Sequence, residues 1–326
     1  MFALGTFSDG ERDFPGIVLD ERLVIDVSAW FDSTRDIFQR WEVSLDKLAR
    51  LAELDRDDAI ELAELRALPP VRPSQILQSG ANYHKHVVQL VVDQQVGRRP
   101  EQTDEQFRAE VVTMMDERAA SGEPYIFLGA DSALAGATDD IVLPARGEQH
   151  DWELELAAVI GRGGRHIREE HALGHVAGYT IANDLTTRDL VRRPELGAIG
   201  IDWLRSKNSP TFLPTGPWIV PAWFVPDPMD LQIVLKLNGE TMQKESTSDM
   251  VFDVAKLVSY ASSLVELRPG DLILTGSPAG NGTHYNRFLR PGDVIDAEIT
   301  GLGRHRNRCV AERDAVARRS PSGQSS

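Results

Sequence analysis

The chain is predicted to be an α+β protein weighted toward β-structure, and three patterns carry that expectation. Trp152, Leu154, Leu156 and Ala158 alternate with Glu153, Glu155, Ala157 and Val159, a period of two that fits a strand. Leu45, Leu48, Leu51 and Leu54 recur instead at helical spacing, as do Phe107, Val111 and Met114. Turn signals punctuate the rest: Asn238-Gly239 suits a tight hairpin, and Leu-Arg-Pro-Gly-Asp occurs at 267–271 and again at 289–293, each time opening a strand.

Taken in order, residues 1 to about 30 read as a small hairpin-like unit, with Phe7-Ser-Asp-Gly10, Gly16 to Leu19 and Leu23 to Val27 as short β-rich pieces. A helix follows with Ser44 as its expected cap, and a second acidic helical stretch is expected to run to Leu68. Leu68-Pro-Pro-Val-Arg-Pro73 breaks any helix and marks the boundary between a small amino-terminal domain, 1–72, and a larger one, 73–314. Ser74 to Gln78 reads as a strand leading through Asn82-Tyr83 into a helix that bears His84 and His86. The two histidines sit about 200° apart on that helix, so only one of them can face a given site.

Residues 94–122 form a polar, lid-like insertion whose own helix opens on a Thr103-x-x-Gln106 capping box. Strands return at Leu231 to Leu237, Met250 to Leu264 is expected to be helical, and 315–326 reads as a disordered tail.

Composition excludes several classes. The formal charge of −15 argues against a nucleic-acid partner, because such binding draws on clustered Lys and Arg. No apolar run approaches the roughly 20 residues that cross a bilayer, and the first residues lack the order of a signal peptide, so no membrane partner and a cytoplasmic location are expected. Cys309 is the single cysteine, which rules out an intrachain disulfide and a thiolate cluster and suits a reducing compartment.

The acids at 153–184 call for a chemical reading. Glu153 and Glu155, at i and i+2 of a strand, lie about 6–7 Å apart and point the same way. Asp184 closes the next apolar run, Val176 to Ala182, and can add a third oxygen. Three carboxylates without His or Cys suit Mg²⁺ or Mn²⁺, with Ca²⁺ as a further candidate, better than Zn²⁺ or copper. Thr275-Gly-Ser-Pro-Ala-Gly280 matches no phosphate-loop pattern, so nucleotide binding is not expected.

Several of these segments, in this order, resemble the fumarylacetoacetate hydrolase family: Asn82-Tyr83-x-x-His86, Glu153-x-Glu155, Asn183-Asp184-x-x-x-Arg188-Asp189, the Lys207 loop with Pro214-Thr-Gly-Pro217, Asn238-Gly239, and Thr275 to Gly280. The resemblance covers about Pro73 to Ala311. It implies a mixed, rolled β-sheet catalytic core, a homodimer, and a Mg²⁺ or Mn²⁺ held by Glu153, Glu155 and Asp184.

It also implies that His86 is the general base on a closing lid, that Lys207 is a second catalytic group, and that Tyr83, Arg188, Thr275 and Gly276 contact the substrate. That substrate is a small 2-oxo acid or diketone. Hydrolysis of a C–C bond through a metal-stabilised enolate is the leading expectation. Isomerisation, hydration or decarboxylation of a 2-oxo-alkenedioate in aromatic catabolism is the alternative, and a binding or scaffold protein the remoter one. Three positions depart from the family pattern. Gln89 stands where hydrolytic relatives place a glutamate beside the base, and Val191 and Gly129 replace polar residues, which points to a bulkier or more apolar substrate.

Overall fold

The structure, a computed structural model, describes residues 1–53, 58–95 and 97–313. Its chain is α+β and sheet-rich, as expected. Among the described residues a 12-stranded mixed sheet forms the body, and its central run passes through Phe2–Ser8, Leu213–Pro221, Val176–Asn183, Leu154–Ile160, Leu272–Leu274, Ile76–Gly80 and Tyr125–Gly129. Leu272–Leu274 and Ile76–Gly80 pair in parallel, while the other neighbours along this run are antiparallel. A five-stranded sheet that includes Gln232–Leu237, Glu240–Ser246, Val294–Ile299 and Arg304–Ala311 completes the β-structure around the core.

The expected strand around Glu155 is present but differs in two respects. It begins at Leu154, and every residue to Ile160 is buried, so it has two covered faces rather than one. Such a central strand reads as a continuous apolar run because neighbours pack on both sides. His150–Asp151 forms a separate short ladder with Thr186–Thr187. Glu153 therefore sits in the break between two strands, fixed there by its N–H to Asn183 Oδ1 at 2.9 Å and by Asp184 N–H donating to its carbonyl at 2.9 Å.

The amino-terminal strands do not stand apart from this sheet. Phe2–Ser8 pairs with Leu213–Pro221 at Leu4↔Ile219, so the two sides of the Pro69-Pro70 break share one sheet. Ser44 is not a cap. It lies buried inside the helix Trp41–Glu53, which starts directly after a shorter helix capped by Ser33. The expected second helix to Leu68 is also absent from the described residues 58–68. Ile60–Glu61 and Arg66–Leu68 pair with amino-terminal strands around one 3₁₀ turn, because open strand edges there outweigh local helix propensity. Leu54 lies outside the described residues, and so does the tail expected at 315–326.

The insertion does carry the predicted capping box. Thr103 accepts from Gln106 N–H, and the Gln106 side chain accepts from Thr103 N–H. Its helix, Asp104–Ser121, packs Phe107, Val111 and Met115 onto Val87 and Val88 of the helix His84–Asp93. Met114 instead faces solvent at 46% exposure. Near the carboxyl end the predicted helix is shorter than expected, Val254–Leu264, because Asp253 caps it.

His305 gives the fold a titratable weak point. It is 2% exposed and donates Nε2–H to the Gly216 carbonyl at 2.8 Å, and burial lowers its pKa to about 4. Between that value and the unfolded value of about 6.5 the unfolded chain binds the extra proton, so stability is present above the window and is lost as pH falls through it. We expect His305 to remove about 2 kcal/mol between pH 6.5 and pH 5. Urea midpoints of the protein and of His305→Gln at the two pH values test this, and an equal acid sensitivity in both would contradict it.

Candidate active site

The strand order brings the acids together. Glu153, Glu155 and Asp184 each offer an oxygen such that all three lie within 4.8 Å of one another, and all three residues are buried. Leu154 pairs with Asn183 across the Leu154–Ile160 and Val176–Asn183 ladder, which sets the two acid-bearing ends side by side.

Two cations enter the same space. Lys207 is 3% exposed and reaches Glu153 Oε2 at 2.8 Å, Asp184 Oδ2 at 2.5 Å and the Asp184 carbonyl at 3.1 Å. Arg188 donates Nε–H to Asp151 Oδ2 at 2.8 Å and a second N–H to Glu153. Asp151, missed as a site residue by the sequence reading, also accepts from Gly282 N–H and from the Thr283 hydroxyl, which locks the arginine in place. Its signal was only its place in the short His150–Asp151 strand.

The titration behaviour follows from this wiring. Burial alone would raise Glu153, but Arg188 and Lys207 outweigh it and hold the carboxyl at about 2. Burial, offset only partly by Lys207, raises Asp184 to about 6, and Glu153 adds to the rise. Burial and the neighbouring Asp184 push Glu155 well above the carboxylate range, against the smaller opposing effect of the hydrogen bond it accepts from the Gly276 N–H at 2.6 Å.

These residues fit a divalent ion. Four buried carboxylates, Asp151, Glu153, Glu155 and Asp184, meet two cationic side chains, which leaves two negative charges in a cluster made of hard oxygen donors. Glu155, the acid without a cationic partner among the described residues, is the one a metal would neutralise.

A cavity of about 180 Å³ opens over the acids, lined by His86, Glu153, Arg188, Lys207 and Ser277 on its polar side. Val87, Leu90, Tyr125, Phe127 and Trp203 form its outer wall. Phe127 and Trp203 stack at 4.9 Å and 15°, and Lys207 Nζ lies within 6 Å of both rings, at 5.8 and 5.9 Å. The pocket is thus apolar outside but small, and the apolar character does not come from the changes at Gly129 and Val191. Neither of those residues lines it. A larger cleft of about 690 Å³ lies elsewhere, beside Asp13, Arg35 and Asp139, and holds none of the acids, so the chemistry assigns the smaller cavity.

Of the residues the sequence reading singled out, His86, Glu153, Arg188 and Lys207 face this cavity. Tyr83 is 0% exposed and precedes the His86 helix from behind, with burial raising its phenol well above the usual range. Thr275 donates its hydroxyl to the Leu156 carbonyl at 2.9 Å, and Gly276 serves Glu155, so both stand behind the acids rather than in the wall. The His86 imidazole has no hydrogen-bond partner among the described residues, and burial lowers its pKa to about 4. Gln89 turns away along the helix and donates to Asp93 Oδ1 at 2.6 Å.

The model of the Fumarylacetoacetate (FAA) hydrolase C-terminal family matches residues 75–310. The chain belongs to the fumarylacetoacetate hydrolase family. A mitochondrial oxaloacetate tautomerase of Bos taurus is 43% identical to it over 183 residues, 56% of this chain and 57% of the relative. The match therefore spans a little over half of that relative's length. Two solved members of the fumarylacetoacetate hydrolase fold are similar over nearly the whole chain. The fumarylacetoacetate hydrolase of psychrophilic Exiguobacterium antarcticum gives a TM-score of 0.75 at 30% identity, covering 95% of this chain and 100% of that one. A maleylpyruvate hydrolase of Sphingobium sp. SYK-6, in complex with manganese(II) ion and pyruvate, gives 0.71 at 28%, covering 95% and 99%.

Proposed function

We propose that the chain is a divalent-metal-dependent enzyme that forms and reprotonates the enolate of a small 2-oxo acid or β-dicarbonyl compound. The observation that carries this reading is the triad Glu153, Glu155 and Asp184, buried beside a cavity that His86 faces without a hydrogen-bond partner among the described residues. Mg²⁺ or Mn²⁺, with Ca²⁺ as the weaker candidate, would be held by those three acids and would polarise adjacent substrate oxygens. The neighbour with manganese and pyruvate supports that choice.

The protein's own groups supply the rest. Lys207 and Arg188 add fixed positive charge beside the place where an enolate gains negative charge, and the burial of Lys207 and Glu153 strengthens that effect. A neutral His86 ring nitrogen takes the proton from the substrate carbon and returns it. Tyr125, Phe127 and Trp203 give the cavity an aromatic side. At about 180 Å³ the cavity fits a compact oxo acid, well below the roughly 300 Å³ at which drug-sized sites begin.

Two reactions share this enolate, and the helix favours one of them. Hydrolysis needs a base that holds an extra proton while water attacks, and Gln89 supplies no anion to His86. Keto–enol or double-bond isomerisation needs only a proton moved and returned, so we place isomerisation ahead of the C–C hydrolysis that the sequence put first. The oxaloacetate tautomerase relative supports this order. We further take the protein to be a cytoplasmic homodimer, with residues 1–72 as an amino-terminal unit whose strands extend the sheet of the larger domain. No helix among the described residues is long and apolar enough to cross a membrane. Cys309 is buried and held near 12 by that burial, which suits a reducing compartment.

The test is spectroscopic. Purified protein is mixed with oxaloacetate, acylpyruvates and oxo-heptenedioates, and enol absorbance is followed with Mg²⁺, with Mn²⁺ and with EDTA. Metal-dependent enol decay is expected, and C–C cleavage products in its place would restore the hydrolase reading. No metal-dependent change with any of these compounds would refute the proposal.

A further inference from the structure

The cations inside the cavity are already committed: Lys207 to Glu153 and Asp184, Arg188 to Asp151 and Glu153. Every other group of the outer wall is uncharged. One further cation stands next to the lining without being part of it. Arg118 belongs to the Asp104–Ser121 helix of the insertion, and it donates to the carbonyl of Ala81, a residue that lines the cavity. Its guanidinium also lies 5.2 Å from the centre of the Phe252 ring. Among the described residues no carboxylate forms an ion pair with it, and burial alone acts on its pKa, lowering it.

A partly desolvated guanidinium without an anion is costly, and a ligand carboxylate would relieve that cost with charge-assisted hydrogen bonds. Packing fixes its position as well. The Arg118 helix is held to the His86 helix through Phe107, Val111 and Met115, so Arg118 and His86 belong to one packed unit above the acids. Ala81 adopts φ +54° at the turn between Ile76–Gly80 and that helix, which turns its carbonyl toward the insertion.

We propose that Arg118 is a specificity-determining residue that binds a second carboxylate at the far end of the substrate, so that the enzyme prefers 2-oxo dicarboxylic acids to neutral-ended 2-oxo acids. The inference rests on the 2-oxo acid reading given above and adds the recognition of the distal group. A purely mechanical role for Arg118, tying the insertion to the turn at Ala81, would not distinguish between the two ends.

Equilibrium binding to the Mg²⁺-loaded protein separates these roles without turnover. The probes are N-oxalylglycine and N-ethyloxamate, which share one oxo-acid head and differ in ending in carboxylate or methyl. Calorimetry is expected to show N-oxalylglycine bound at least about tenfold more tightly, the size of one hydrogen bond to a charged group. In Arg118→Gln that ratio should fall to about one while N-ethyloxamate affinity stays unchanged, which also shows that the site still folds. Arg118→Lys should keep part of the preference. Equal binding of the two probes by the unaltered protein, a preference that survives Arg118→Gln, or equal weakening of both probes would each overturn the proposal. If neither probe binds the metal-loaded protein, the 2-oxo acid reading fails and this inference fails with it.

Discussion

Glu155→Gln is expected to lower metal-dependent kcat/KM on the order of 10³-fold and, in the same protein, to raise the thermal midpoint measured in EDTA. Both effects come from one imbalance. Lys207 and Arg188 are directed at Glu153 and Asp184, whereas Glu155 has the Gly276 N–H and, among the described residues, no ion-paired cation. Without a metal, a charged Glu155 adds a buried negative charge beside Asp184, and burial with that repulsion pushes its pKa well up. A glutamine keeps the shape and can still accept from Gly276, so the metal-free fold should gain about 1–2 kcal/mol.

With metal the sign reverses, because one of three protein oxygens becomes a neutral amide. A loss of several kcal/mol in transition-state stabilisation corresponds to a fall on the order of 10³-fold in kcat/KM. Glu153→Gln should differ in direction: it deprives Lys207 and Arg188 of their shared anion and should destabilise even the metal-free protein by about 3–5 kcal/mol. Melting curves in EDTA and calorimetric metal titrations of the two variants make the comparison. Should Glu155→Gln keep full metal affinity and show no gain in EDTA, the three acids are not a metal site.

How much of this was legible in advance depends on the range of the interaction. The alternation around Glu155 and the apolar run before Asp184 are local signals that bring the acids near one another, whereas Glu153 lies in the break before Leu154 and is held by Asn183 and Asp184 rather than by the period of the strand. The capping box at Thr103 and the hairpin at Asn238-Gly239 were legible for the same reason. Local signals failed at 60–68, where pairing with strands more than 30 residues away decided the conformation.

The aromatic wall was not legible for a further reason. Tyr125 and Phe127 reach the acids only because their strand is added beside Ile76–Gly80, and Trp203 arrives from a separate short helix to stack on Phe127. Nothing in either segment's own sequence states that neighbour relation. Asp151 illustrates the same limit: its value lies in five hydrogen bonds to Arg188, Gly282, Thr283 and Trp152, of which only the last is local.

His86→Ala is expected to lower kcat by about 10²–10⁴-fold while leaving the metal affinity unchanged. The ring faces the cavity but contributes no ligand to the acid triad, so loss of the base should separate cleanly from loss of the ion. The pH profile gives a second signature. Burial holds His86 at about 4, so it is neutral and able to accept a proton at every pH above that value; the acid limb of kcat/KM should lie near 4 rather than near the ordinary value of about 6.5.

Gln89→Glu then tests the link between this histidine and the reaction type. Three residues along the helix, position 89 is a surface neighbour of His86, and a carboxylate there would favour the imidazolium. The acid limb should move up in that variant, and any C–C hydrolysis should increase relative to isomerisation, because the base could now hold its proton while water attacks. If His86→Ala retains normal turnover, or if the limb of the unaltered protein already lies near 6.5, the proton carrier is a different group and the role assigned to this helix must be abandoned.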